Sequence, residues 1–131
     1  VIGFTTEGDV FGGFYQKAVT QQDKEFNDPA IFAFSFESHG RCDTPKRFAV
    51  KRALKDRASV YFWKNSHQGF VWFSGGHGGW FWLGNEGSKS DCYNMSWGFE
   101  DLQDTTLTGK NGEYMNPQLH HCSRLVAIQL E

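Results

Sequence analysis

A glycine-rich loop between two aromatic runs constrains the fold more than any other stretch of this chain. Residues 70–73 and 80–83 are almost all aromatic or aliphatic, and four of the five residues at 75–79 are glycine. Glycine turns the backbone tightly and tolerates positive φ, whereas large aromatic side chains favour half-buried strands. The stretch therefore predicts a β-hairpin in the middle of a β-rich core.

The second strand of this hairpin has two different faces. Alternation along a strand places Trp80 and Trp82 on one face and Phe81 and Leu83 on the other. An open row of tryptophans would suit stacking against a ligand such as a sugar. Aromatic-rich sequence more often forms a core, so we expect Trp80 and Trp82 to be largely buried between layers.

The remaining sequence favours a single mainly β domain over residues 1–131. Aromatic residues make up 17% of the chain, with thirteen Phe and five Trp, and such residues fit sheets better than helices. About eight short strands separated by turn signals predict a two-sheet antiparallel β-sandwich with a few short helices. We expect a loop with one helical turn at 21–26, irregular structure at 84–110, turns or loops at 65–69 and 111–121, and a last strand at 124–130 with Val126, Ile128 and Leu130 inward.

The clearest alternating strand lies at 31–36. Phe32, Phe34 and Phe36 share one face, and Ala33 and Ser35 share the other. The small side chains of the second face allow another layer to pack closely against it.

Basic residues are concentrated in one short stretch. Six of the thirteen Lys and Arg residues fall within 46–57, which we predict to be a strand followed by a turn near 55–57, with Phe48 and Val50 inward. These residues are candidates for contact with a protein partner or with nucleic-acid phosphates, although lysines also protect an edge strand from aggregation. They are Lys46, Arg47, Lys51, Arg52, Lys55 and Arg57.

Charge, hydropathy and cysteine usage limit the functional classes. The net charge of −2 gives no global attraction to nucleic acid or anionic lipid. No apolar run approaches 18 residues, so we expect no membrane span. The three cysteines, Cys42, Cys92 and Cys122, form no C-x-x-C motif, which favours a reducing compartment and a cytoplasmic location, with the nucleus as a further option.

No motif selects a catalytic, metal or cofactor site. His39 near Cys42, and His120 and His121 beside Cys122, give only loose pairs where zinc takes four ligands. Neither a G-x-S-x-G elbow nor a Walker motif is present. We therefore assign no catalytic residue and no cofactor, and an enzymatic role is less favoured than a binding role.

The order of short motifs along the chain resembles the TLDc domain family, which includes the oxidation-resistance proteins. Residues 5–14 are similar to its opening T-x-x-G-x-x-F-G-G-[YF] segment, and 27–36 to its F-L-F-S-L strand. Residues 44–48 match P-x-[KR]-[YF], 73–83 fit the glycine loop and the G-L-x-L strand, and 87–92 resemble G-x-S-x-x-C. The match spans nearly the whole chain.

The chain also departs from the family pattern. The stretch 23–41 looks like that of divergent members in amoebae, and the acidic stretch after the glycine loop shrinks to Asn85 and Glu86. The Trp-Gly-Phe with which many members end is absent. The N-terminal helical portion of a full TLDc domain is expected to be missing. In the family motif Gly12, Gly13, Gly75 and Gly76 have structural roles.

The resemblance implies a non-catalytic, intracellular protein-interaction domain. Family members are associated with protection from oxidative stress, and several bind the vacuolar proton pump (V-ATPase) and regulate its assembly. Two alternatives stay open: a nucleic-acid-binding stress regulator that uses 46–57, and a thiol-based antioxidant enzyme that uses Cys92 or Cys122.

Overall fold

Ten antiparallel strands and two short helices form the described part of the chain. The structure is a computed structural model and describes residues 1–64, 69–84, 89–111 and 120–130, with only the backbone of Lys89. The helices are a 3-10 helix at Arg52–Arg57 and α1 at Met95–Gly98. The strands are β1 Ile2–Thr5, β2 Val10–Phe14, β3 Glu25–Asn27, β4 Phe32–Glu37, β5 Lys46–Ala49, β6 Ser59–Phe62, β7 Val71–Ser74, β8 Trp80–Leu83, β9 Lys89–Tyr93 and β10 His120–Val126.

The strands form one continuous sheet in the order β3-β6-β7-β8-β9-β10-β1-β2-β4-β5. The sheet curls so that its two halves face each other across a shared core: the Phe11 ring on β2 meets the Phe81 ring on β8 with centroids 5.8 Å apart. The predicted mainly β, antiparallel fold with a few short helices is confirmed. Its two layers are the halves of a single sheet, in which β3 and β5 are the edge strands.

The predicted glycine hairpin is confirmed. β7 and β8 pair antiparallel from Val71 opposite Leu83 to Ser74 opposite Trp80. In the loop, Gly76 has a φ of +81°, and a Cβ on Gly75 would lie 2.8 Å from the backbone of Gly98 in α1. The close approach of α1 and the positive φ both require glycine here.

The predicted burial of Trp80 and Trp82 between the layers is wrong. Phe81 and Leu83 are fully buried in the core, whereas both tryptophans lie on the opposite, outer face of the sheet and are half-buried. The cause is strand alternation, because only one face of β8 can contact the other half of the sheet.

Several further expectations are wrong. The stretch at 46–57, predicted as a strand followed by a turn near 55–57, is β5 followed by the 3-10 helix at Arg52–Arg57. Glu25 and Phe26, predicted within a helical turn, belong to β3, which pairs with β6 as an edge strand. The region predicted as irregular contains β9 and α1. The last strand begins at His120, inside the predicted loop, and ends at Val126. Ile128 and Leu130, predicted inward, are 59% and 70% exposed. Residues 65–68 and 112–119, where a turn and a loop were predicted, lie outside the described residues.

Candidate functional site

The outer face of β4 carries a row of large apolar side chains. Ala33 and Ser35 are fully buried under the other half of the sheet, which confirms the close packing predicted for the small face. Phe32 and Phe34 on the opposite face are therefore only half-buried, and Phe36 is 48% exposed. When a strand has apolar side chains on both faces, each face is stable only when another layer packs against it.

A groove of about 370 Å³ runs along this row. We name it the phenylalanine groove. Its apolar lining also includes Pro45 and the exposed side chains of Ile128 and Leu130 in the segment that follows β10. The residues that line it are Val1, Ile2, Gly13, Phe14, Phe32, Phe34, Phe36, Pro45, Lys46, Arg47, Ile128 and Leu130.

The aromatic rings of the groove contact one another in an unbroken series. The Phe14 and Phe32 rings stack with centroids 4.7 Å apart. The series continues from Phe32 to Phe34 at 6.3 Å and from Phe34 to Phe36 at 4.9 Å. Because neighbouring rings support one another, the apolar surface is largely preorganised for binding.

Cationic side chains border the groove. The guanidinium of Arg47 lies over the Phe32 ring, 3.9 Å from its centroid. Lys46 also lines the groove, while its ammonium lies 5.5 Å from the centroid of the buried Phe48. Lys55 and Lys17 line two cavities that adjoin the groove and share Phe14 and Leu130 with it. None of the described residues that line these three cavities is acidic.

The six basic residues predicted as a contact site lie on two different parts of the structure. Phe48 and Val50 are buried, as predicted, and Lys46, Arg47 and Lys55 lie along the phenylalanine groove or the cavity next to it. The other three residues do not line these cavities. Lys51 is half-buried before the 3-10 helix, and Arg52 and Arg57 are exposed on that helix.

A second aromatic surface lies on the outer face of β6 to β9. The Trp80 and Trp82 rings stack nearly parallel with centroids 5.1 Å apart, and Tyr93 stacks on Trp80 at 5.0 Å. Trp63 meets Trp82 at 81°. Because these rings cover one another's faces, the row offers less open face for stacking of a sugar than separated rings would.

Two buried ionisable groups have strongly shifted pKa values. Burial raises the pKa of Asp91, which lies opposite Trp82, to about 6, and its Oδ1 atom has no hydrogen-bond partner. Burial, followed by the charge of Lys110, lowers the pKa of His120 to about 4. Both groups face packed surroundings with side chains only 2% and 1% exposed, and neither lines the groove.

The two buried cysteines, Cys92 and Cys122, lack the features of reactive thiols. All three cysteines are free; Cys92 and Cys122 are buried, and Cys42 is partly buried. Burial raises the pKa of the Cys92 thiol well above its usual range and also raises that of Cys122. A thiolate, the nucleophilic form, is therefore disfavoured at both buried positions.

The described residues contain neither a metal-binding cluster nor a helix that could cross a membrane. Among them, no group of three or more His, Cys, Asp and Glu side chains is placed to hold a metal ion. The described helices are too short and too polar to cross a membrane.

No protein-family model matches this chain, and no curated protein or solved structure matches it either.

The sequence predicted the basic residues as a contact site but did not predict the groove beside them. The available signal was the alternation at 31–36, because a strand whose small face packs inside must turn its three phenylalanines outward. The contribution of Ile128 and Leu130 had no local signal, since it depends on where the chain lies after β10.

Proposed function

We propose that this chain is a non-catalytic protein-interaction domain that binds its partner through the phenylalanine groove. The observation that supports the proposal is the exposed row of Phe32, Phe34 and Phe36 with Arg47 at its border. Contiguous exposed apolar patches with polar borders mark interaction sites. Aromatic residues and arginine are also the residue types enriched at the centres of protein interfaces.

We further propose that the domain is of TLDc type and acts in the oxidative-stress response, in the cytoplasm or the nucleus. This part rests on the motif order along the sequence. On the same basis the partner is proposed to be a subunit of the vacuolar proton pump. Gly12, Gly13, Gly75 and Gly76 would then serve the fold, while the groove and the basic residues beside it would serve recognition.

The two alternatives have less support. Nucleic-acid binding through 46–57 would need its six cationic side chains on one surface, whereas Lys51, Arg52 and Arg57 do not line the groove or the cavities next to it. A thiol-based activity would need a reactive thiolate, whereas Cys92 and Cys122 are buried with raised pKa values.

The proposal is tested by quantitative capture of proteins from a lysate on the immobilised chain. Phe36→Ser removes an exposed groove side chain, and Trp97→Ser is the matched control, because Trp97 is 53% exposed on α1 and does not line the groove. We expect the wild type and Trp97→Ser to retain the same proteins, pump subunits among them, and Phe36→Ser to lose them. Equal capture by all three would refute the groove as the binding site, and capture without pump subunits would refute the proposed partner.

A further inference from the structure

We infer that the phenylalanine groove binds an amphipathic α-helix of the partner protein whose apolar stripe is flanked by acidic residues. This inference rests on the proposed function and specifies the partner at the same site. Three properties of the groove support it: its length, its width and its charge.

The length of the phenylalanine row matches a short helix. Phe32 and Phe36 are four residues apart on β4, which corresponds to about 13 Å along a strand. Apolar residues at positions i, i+3, i+4 and i+7 of a helix extend over about 10.5 Å. Two turns of such a helix therefore cover most of the row, and a third turn extends past its end.

The width of the apolar surface also suits a helix better than a single alkyl chain. The groove takes side chains from β1, β2, β4 and β5, which are neighbours in the sheet. Neighbouring strands lie about 4.8 Å apart, so the surface is roughly 14 Å wide. A helix with side chains is about 10 to 12 Å across, and packing of helices on sheet faces is a standard layer arrangement.

The charge of the border selects an acidic partner. Lys46 and Arg47 line the groove, and Lys55 and Lys17 line the adjoining cavities. The nearby carboxylate of Asp28 accepts hydrogen bonds from the backbone N–H groups of Gln16 and Lys17, is 3% exposed and does not line these cavities. This local excess of positive charge occurs on a chain with a net charge of −2. Carboxylates beside the apolar stripe would therefore meet complementary charge, whereas lysines would be repelled.

A displayed peptide library tests the inference without knowledge of the natural partner. The library consists of helix-favouring peptides of about 16 residues, with the apolar and charged positions randomised, and is selected on the immobilised chain. We expect enriched sequences to carry apolar residues at i, i+3 or i+4 and i+7 and an excess of Asp and Glu. Circular dichroism should show them helical when bound.

Variants of the chain test whether the selected peptides bind in the phenylalanine groove. Phe36→Ser should weaken their binding at least about tenfold, while Trp97→Ser should leave it unchanged. Selection on the double variant Lys46→Glu, Arg47→Glu should favour Lys and Arg instead of Asp and Glu. Lys24→Glu is the charge control, because Lys24 lies over Phe26 next to β3, the other edge strand.

Several outcomes would overturn the inference. Enriched peptides that are extended, that lack acidic residues, or that bind Phe36→Ser as well as the wild type would contradict it. So would displacement of the selected peptides by dodecanoate at concentrations below its micellar range, or self-association in sedimentation equilibrium that Phe36→Ser abolishes. If lysate capture depends on Phe36 while the peptides are extended, the proposed function stands and only the helix is refuted.

Discussion

The imidazole ring of His120 packs against the ring of Phe11, with centroids 5.4 Å apart and planes at 66°. Neither ring nitrogen of His120 has a hydrogen-bond partner, and the side chain is 1% exposed. Burial lowers the pKa of His120 to about 4, with a smaller contribution from Lys110. The histidine is therefore neutral at neutral pH and contributes an apolar ring to the core.

Replacement of His120 by Phe is expected to stabilise the domain, most of all in acid. Between pH 6.5 and 4 the unfolded chain binds a proton at His120 that the folded chain does not, so the wild type loses stability as the pH falls. The shift of about 2.5 pKa units corresponds to about 3 kcal/mol, which His120→Phe should regain at pH 4. At pH 7 the gain should be about 1 kcal/mol, because two unpartnered nitrogens are removed. Urea unfolding from pH 4 to 7.5 measures both values, and an unchanged pH profile would contradict the predicted charge state.

Asp91 should show the opposite dependence on pH. Its pKa is raised to about 6, because burial disfavours the carboxylate. Between the unfolded value near pH 4 and about pH 6 the folded chain holds the extra proton, so stability falls as the pH rises through this window. Asp91→Asn should therefore raise the free energy of unfolding by about 3 kcal/mol at pH 7.5 and change it little at pH 4. Equal effects at both pH values would show that the pKa of Asp91 is not raised in the folded state.

Gly13 marks the contact between the two halves of the sheet. A Cβ on Gly13 would lie 2.7 Å from the ring of Phe73 on β7, closer than non-bonded carbon atoms approach. Gly13→Ala is expected to cost about 2 to 3 kcal/mol in unfolding free energy through overpacking. The double variant Gly13→Ala, Phe73→Leu should show a favourable coupling, since the smaller side chain makes room for the methyl group. Additive losses in thermal or urea unfolding would place the strain elsewhere.

Local patterns explain which parts of the fold were predictable. The hairpin at 70–83 and the faces of β4 follow from alternation and glycine chemistry, which act within a few residues. The pattern at Ile128 and Leu130 also alternates, yet β10 ends at Val126 and these side chains line the outer groove. Strand alternation cannot tell whether a position faces the core or an outer groove, because that depends on which part of the chain lies opposite.

The candidate site was predictable only in part for the same reason. The concentration of charge at 46–57 is visible in the sequence, and Lys46 and Arg47 do border the groove. The positions of Trp80 and Trp82 were not predictable in the same way. Their size predicts a core position, whereas the register of β8 places them on the outer face. The groove combines side chains from β4, β5 and the segment after β10. Only the tertiary structure brings these separate parts of the chain together.

Thiol reactivity should separate Cys42 from the two buried cysteines. Cys42 is partly exposed, with its Sγ atom 3.4 Å from the Ser38 hydroxyl, whereas Cys92 and Cys122 are buried and have raised pKa values. At pH 8 an aromatic disulfide reagent should label one thiol quickly and the other two at least about a hundredfold more slowly, because these react only when the fold opens. In denaturing urea all three should react together. Cys42→Ser should remove the fast phase alone. Rapid labelling of Cys92 or Cys122 in the folded chain would contradict their burial and would favour the thiol-based activity over the binding function.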